Sequence, residues 1–289
     1  MKFGVREICD VVLRAKSTQK IGNQTFKKDE PVIYFDTAKT STIEGAATTV
    51  YAQGGKGNSR LIAWEGERTV TFTMEDALIS PLGFSILSGA GIVEATGGKA
   101  INVHMTSQVE GTISSGSVTV DLSKAIPTNG TLLAEKENIY GFILDNSGNI
   151  SERLKDKSVS SGNNQITFNN VQTGAGKVII LVDYYVAMTS GVQQLEVTPD
   201  KFAGSYYLEA STLFRRQEDG VDMPAQFVIP NVKIQSAFNF SMASTGDPST
   251  FTFTMDAFPD YTKFDKTKKV LFALQIVEDF KSQEVYSLV

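Results

Sequence analysis

The sequence predicts a mainly β protein: a β-sandwich or barrel with one short flanking helix, split by an inserted small β-sandwich. Three observations carry this. The tetrapeptide TFTM occurs at Thr71–Met74 and again at Thr252–Met255, each time alternating apolar residues with threonine. Between the two copies the texture changes to short strand-like runs separated by Gly, Asn and Ser turns. A complete helix signal stands at Ser80–Gly91. A four-residue match alone decides little. The period of two in Val70, Phe72, Met74 and in Phe251, Phe253, Met255 says more, because it is the pattern of half-buried strands. Intermediate copies are lacking, which excludes a solenoid. One β domain is expected over 1–105 and 190–289, and an inserted immunoglobulin-like sandwich over 106–189.

The elements follow in chain order. "EPVIYFDTA" (Glu30–Ala38) reads as a strand after a polar turn. "NSRLIAWEGERTVTFTME" reads as two strands with Gly66 in the turn between them. Ser80 is a good N-cap and Pro81 suits the first helical position, while Gly89 and Gly91 end the helix. Leu82, Phe84, Ile86 and Leu87 would cover one face of a sheet. Within the insert, turns recur about every ten residues, the spacing of a small sandwich. "ILDNSGNIS" reads as a hairpin turn. Asp145, Ser147 and Asn149 have the spacing of calcium-loop ligands, but Ile150 replaces the required glycine and Asp156 the required glutamate. After the insert "SYYLEASTLFRR" alternates and "QEDGVDMP" interrupts it. "FVIPNVKIQSAFNFSMAS" reads as one long strand with Val232, Ile234, Phe238, Phe240 and Met242 on one face. "TGDPST" then turns the chain into the second TFTM strand, and "KKVLFALQIVED" supplies a last one.

Composition narrows the chemistry. The chain has 289 residues, 41% of them hydrophobic, room for one large or two ordinary domains. A net charge of −5 argues against a surface built to grip nucleic acid, though not against one past which it slides. No apolar run has the length of a membrane span. The start, "MKFGVREICDVVLRAK", has charges where a signal peptide needs its apolar stretch. Cys9 is the single cysteine, as expected of a protein folded in a reducing cytoplasm. The single histidine, His104, lies in strand-like "INVHMTSQV", so neither a Ser-His-Asp triad nor a Cys/His zinc site is expected. No enzyme activity and no cofactor are expected.

The remaining motifs are weak. "QGGKGNSRL" lacks the Gly-Lys-Ser/Thr ending of a phosphate loop and precedes a strand, so a plain loop is expected. Glu65, Glu67, Glu75 and Asp76 could be called paired carboxylates, and Glu65 or Glu75 could serve a hydrolase, but Glu65 and Glu67 read as the flanks of a turn. Trp64 and Tyr34 are expected to be core or interface anchors, since no basic stripe surrounds them. "FRRQEDGVD" places Arg215 and Arg216 beside Glu218, Asp219 and Asp222. This is either a solvated loop or a contact with an identical loop on a neighbour, and these five residues are the candidate subunit contacts.

"WEGERTVTFTMEDALISPLGFSILSGAG" (64–91) and "VDMPAQFVIPNVKIQSAFNFSMASTGDPSTFTFTMDAFPD" (221–260) together resemble tail tube proteins of long-tailed bacteriophages, most of all contractile-tailed ones. In the second segment a long strand runs into a GDPSTF turn and a strand ending at Asp256, Ala257, Phe258, Pro259 and Asp260. The resemblance implies a two-sheet sandwich, six copies of which form a ring whose inner strands join into one barrel. Stacked rings would make a virion tail tube, assembled in the host cytoplasm, through which DNA passes without specific binding. Implied partners are the protein itself and the tail sheath, tape measure and baseplate proteins, with no membrane. Strands with a Thr/Ser/Asn face opposite an apolar one suit a wet lumen, and a net negative chain repels phosphate. The insert departs from a minimal tube protein. A baseplate, hub or terminator ring of the same fold is the alternative, as is a carbohydrate- or receptor-binding module using the exposed pair Tyr184 and Tyr185.

Overall fold

The computed structural model describes residues 2–278 apart from 6, 23, 241, 243 and 246–248. The chain divides into two compact units, Met1–Ile92 with Leu195–Val289, and Val93–Gln194. Five short strands come first: β1 (Phe3–Val5), β2 (Asp10–Ala15), β3 (Gln19–Ile21), β4 (Gln24–Phe26) and β5 (Pro31–Phe35). Two long ones follow, β6 (Ala38–Gly54) and β7 (Ser59–Asp76), then α1 (Pro81–Ser88) and β8 (Gly91–Glu94). The second unit contains β9 (Ile101–Ile113), β10 (Val118–Asp121), β11 (Gly130–Leu132), β12 (Tyr140–Leu144) and β13 (Ile150–Leu154). It closes with β14 (Asp156–Ser160), β15 (Gln165–Asn169) and β16 (Gly176–Met188). Next come β17 (Gln193–Glu196), β18 (Ser205–Arg216), β19 (Asp222–Ile234), β20 (Phe251–Ala257) and β21 (Ala273–Ile276).

The main sheet of the first unit has the order β5-β2-β18-β19-β20-β7-β6, with β1 added to β18 and β21 to β19. The two TFTM strands are direct antiparallel neighbours: Met255 pairs Phe72, Thr254 pairs Thr73 and Phe253 pairs Met74. All four of these apolar residues are fully buried, and they meet Val11, Leu13, Leu208 and Ile229 in one core. Helix α1 covers that core as its sequence implied. Ser80 Oγ accepts from Gly83 N at 3.0 Å, Pro81 opens the helix, and Ile86 and Leu87 join the core. Gly89 ends it at φ 73, and a Cβ there would come within 2.5 Å of the Phe202 carbonyl carbon. A side chain at this position is excluded both by backbone conformation and by space.

The long-strand reading beyond Ile234 is corrected. β19 stops at Ile234, opposite Met255 in mid-β20, and a last backbone hydrogen bond from Gln235 N to Thr254 O ends the pairing while β20 runs on along β7 to Phe251. Phe238 and Phe240 turn instead onto Phe84 of the helix at ring distances of 5.1 and 5.2 Å, and Met242 is 91% exposed. Ser241 and residues 246–248 of the TGDPST turn lie outside the described residues, as does the end of the last expected strand. A second correction concerns 58–75, which is one strand and not two.

The second unit holds two sheets, β10-β15-β14 and β9-β16-β12-β13, with β11 also paired to β16. Between them lies a separate core containing Phe168, Tyr184, Val182 and Leu122, all fully buried. β9 pairs β16 from Ile101↔Met188 to Ile113↔Gly176, so a boundary drawn at 105/106 would fall inside an unbroken strand. β12 and β13 form the hairpin expected at Asp145–Asn149, whose turn is closed by Asp145 Oδ1 accepting from Ser147 N at 2.8 Å and Asn149 N at 2.9 Å. These aspartate and asparagine positions are turn chemistry.

Candidate assembly surface

The main sheet ends on a long ribbon that serves no core. From Ser59 to Thr69 every residue of β7 is exposed, and in β6 Ile43 is the last residue packed against the core. Burial begins abruptly at Val70, where the ribbon joins the rest of the sheet. The turn at its tip is the Gly-rich loop, with Gly55, Gly57 and Asn58 at positive φ. Gly66, read from sequence as a turn, instead sits in a bulge. Ala47 pairs Arg68 but Thr49 pairs Glu65, and Glu67 N donates to Thr48 Oγ1 at 2.9 Å. A Cβ on Gly66 would collide with the Thr48 hydroxyl, which is why glycine stands there. Glu65 and Glu67 therefore flank a bulge in a solvated ribbon.

The two faces of the ribbon differ. Val50 lies directly opposite Trp64 and Ala52 opposite Ile62, which places these four on one face. Val50, Trp64 and Ile62 are 63%, 53% and 55% exposed. Tyr51 is on the other face, with the Arg60 guanidinium 4.1 Å from its ring centre. A two-stranded ribbon is marginal by itself in water, and an exposed apolar stripe of this kind marks a surface that binds. β6 is also a sheet edge, with β7 as its one partner among the described residues. Of the two expected anchors, Trp64 belongs to this ribbon and Tyr34 is 53% exposed on β5, so neither is a core residue.

The five charged residues singled out by sequence lie at the β18–β19 hairpin, where Arg215 pairs Asp222. The structure closes two ion pairs within the chain. The Arg215 guanidinium grips both carboxylate oxygens of Asp222 at 2.6 Å, and Arg216 Nε lies 3.0 Å from Asp219 Oδ1, although that N–H is not aimed along a hydrogen bond. The bidentate hydrogen bonds from Arg215 hold the Asp222 carboxyl below the ordinary range and raise the guanidinium in turn. Glu218 enters no ion pair among the described residues. β1 runs along the same hairpin, with Phe3 stacked on Phe214 at 4.9 Å.

Other singled-out residues are scattered. Asp76 is buried at the end of β7 and accepts a hydrogen bond from Thr37, far along the strand from Glu65. His104 lies on β9 with Nε2 3.0 Å from Asp183 Oδ1. Tyr184 is not exposed as expected: it is fully buried, with its hydroxyl 2.9 Å from Ser107 Oγ, and Tyr185 alone of the pair faces outward. Adjacent strand residues point to opposite faces, so an adjacent pair could not both be outside. Among the described residues no group of three or more His, Cys, Asp or Glu is placed to hold a metal ion.

The first unit thus carries exposed apolar residues on a solvated ribbon and a free strand edge, and no metal cluster or other catalytic constellation joins them among the described residues. A sequence model described as the YomU/Tube protein family matches residues 3–271, and the chain belongs to that family. It is a bacteriophage tube structural protein and a virion component, in agreement with the resemblance carried by 64–91 and 221–260. No curated protein matches the chain.

Proposed function

We propose that the protein assembles with itself into rings of six that stack into the phage tail tube, the conduit for DNA during ejection. The observation that carries this is the ribbon of β6 and β7, whose apolar face and free edge have no use within one chain. Pairing of free edges between neighbours removes the liability they pose to a monomer, and closure into a barrel removes edges altogether. Family membership and the negative charge support six copies, a stacked tube, passage of DNA through an acidic lumen and assembly in the host cytoplasm as parts of this reading. Tail sheath, tape measure and baseplate proteins are the further partners of such a tube.

The decisive experiment is negative-stain microscopy with light scattering on the purified protein. Rings or tubes are expected, and a monomer persisting at high concentration would sink the proposal. A deletion tests which unit assembles. Ala95 N donates to Val192 O at 2.9 Å and Gln193 Nε2 to Glu94 Oε1 at 3.0 Å, so removing 95–192 joins ends that already touch. The shortened protein is expected to form the same rings; loss of rings with the fold retained would assign assembly to the insert.

The charged hairpin is proposed as an additional contact, formed when Arg215 and Arg216 exchange their own Asp222 and Asp219 for a neighbour's. Such exposed pairs are individually weak and are screened by salt. Replacing Arg215→Glu and Arg216→Glu is expected to weaken assembly at low salt and to leave folding intact. Adding Asp219→Arg and Asp222→Arg is expected to restore it in part. Unchanged assembly of the double variant at low salt would leave the hairpin as a self-contained turn.

A further inference from the structure

The segment between β20 and β21 is a closed loop with an unusual tip. Asp260 and Val270 exchange backbone hydrogen bonds at 3.2 and 2.9 Å, so the loop starts and ends at one place. Lys16 pairs with Asp260 there and also donates to Pro230 O at 2.9 Å. Lys263 and Lys269 lie over the rings of Tyr207 and Tyr261 at 5.1 and 5.6 Å. Inside the loop Asp265 N donates to Thr262 Oγ1 at 3.1 Å and Thr267 N to Asp265 Oδ1 at 2.8 Å. A loop tied at this many points nevertheless holds Phe264 95% exposed, more than any other large hydrophobic residue described. Lys266 and Lys268 stand beside it, exposed and without an ion pair among the described residues. The chain as a whole is acidic, at −5, so this basic, aromatic knob is a local exception.

The same unit has a hollow of complementary character. It measures about 530 Å³ and is lined by Ile8, Leu213, Pro224 and Val277, together with Glu7 and Asp10. Both acidic residues are exposed, and neither forms an ion pair among the described residues. We propose that Phe264 of one copy seats in this hollow of a second copy, with Lys266 and Lys268 facing Glu7 and Asp10. Aromatic anchors that fill an apolar pocket dominate protein interfaces, while charges around them set orientation. Knob and hollow are different parts of the chain, so the contact is head-to-tail, which closes into a ring or runs on as a filament. The proposal rests on the reading that copies of this chain assemble, and it adds a contact separate from the ribbon.

Two mixed single-cysteine variants, each with Cys9 replaced by alanine, test it. Cys9→Ala chains bearing Phe264→Cys and Cys9→Ala chains bearing Val277→Cys, oxidised together under assembly conditions, are expected to yield a covalent heterodimer well above either variant alone. In parallel, Phe264→Ala is expected to raise the concentration needed for assembly by roughly tenfold or more, the scale of losing an aromatic anchor. Lys266→Glu with Lys268→Glu is expected to weaken assembly, and Glu7→Lys with Asp10→Lys to restore it. Assembly that still depends on Trp64 but proceeds normally in all these variants, without the heterodimer, overturns the knob contact and leaves the ribbon reading standing. Failure of the unmodified protein to assemble overturns both. Binding of duplex DNA that is lost in the Lys266→Glu, Lys268→Glu variant, with assembly unchanged, would reassign the loop to nucleic acid and also overturn the proposal.

Discussion

Replacing Trp64→Glu on the ribbon is expected to leave the protein as a folded monomer under conditions where the unmodified chain forms rings. Trp64 and the facing Val50 are both more than half exposed, so neither contributes to the core, and surface changes of this kind stay within about 0.5 kcal/mol of neutral for folding. Assembly responds differently. A tryptophan that anchors an interface is worth about 2 kcal/mol or more, and a carboxylate forced into the same apolar contact adds a desolvation cost on top of that loss. The critical concentration should therefore rise by well over tenfold. Sedimentation across a concentration series measures it, alongside thermal unfolding to show that the monomer is intact. Rings forming at the original concentration would mean that the apolar face of the ribbon is not the contact.

Phe253→Ala is expected to have the largest effect on folding. The side chain is fully buried, packs on Phe35 with ring centres 4.8 Å apart, and lies opposite Met74 across the paired TFTM strands. Truncations of this kind cost about 3 to 5 kcal/mol, a large share of the roughly 5 to 15 kcal/mol that holds a domain folded. The two units have separate cores, so the damage should be local. Hydrogen exchange is expected to show lost protection in β7, β20 and β18, with β9 and β16 unchanged. Equal loss in both units would show that they unfold as one. The contrasting control is Phe264→Ala: the same chemical change at a 95% exposed site should leave folding untouched.

What the sequence disclosed and what it hid divide along burial. The TFTM strands were legible because one face is core and the other is not, which writes period two into Phe72, Met74, Phe253 and Met255. Helix α1 was legible from Ser80, Pro81 and Gly89, because capping chemistry is local. That the two TFTM strands touch was not legible, since pairing between residues so distant in sequence leaves no trace in either segment alone. The ribbon was hidden for a different reason. Beyond Ile43, "EGAATTVYAQG" buries neither face, so no alternation marks it, and cross-strand pairing alone makes it a strand. Gly66 misled because glycine signals a bulge as readily as a turn. Phe238 and Phe240 misled because their rings pack from outside any strand, both on Phe84 of α1 and Phe240 also on Phe251 of β20. The charged hairpin was located correctly, but sequence could not show that Arg215 already holds Asp222 of its own chain.

The way the chain enters and leaves its second unit has a practical consequence. β8 and β17 run side by side, and the hydrogen bond between Ala95 and Val192 closes their far end. A domain carried on such a stem can be exchanged for any other whose own ends lie together, since the chain enters and leaves through the same two paired strands whatever they carry. In a tube of identical subunits, one grafted enzyme or antigen per chain would then be repeated at regular intervals along a filament of nanometre width. The particle's length would set the dose.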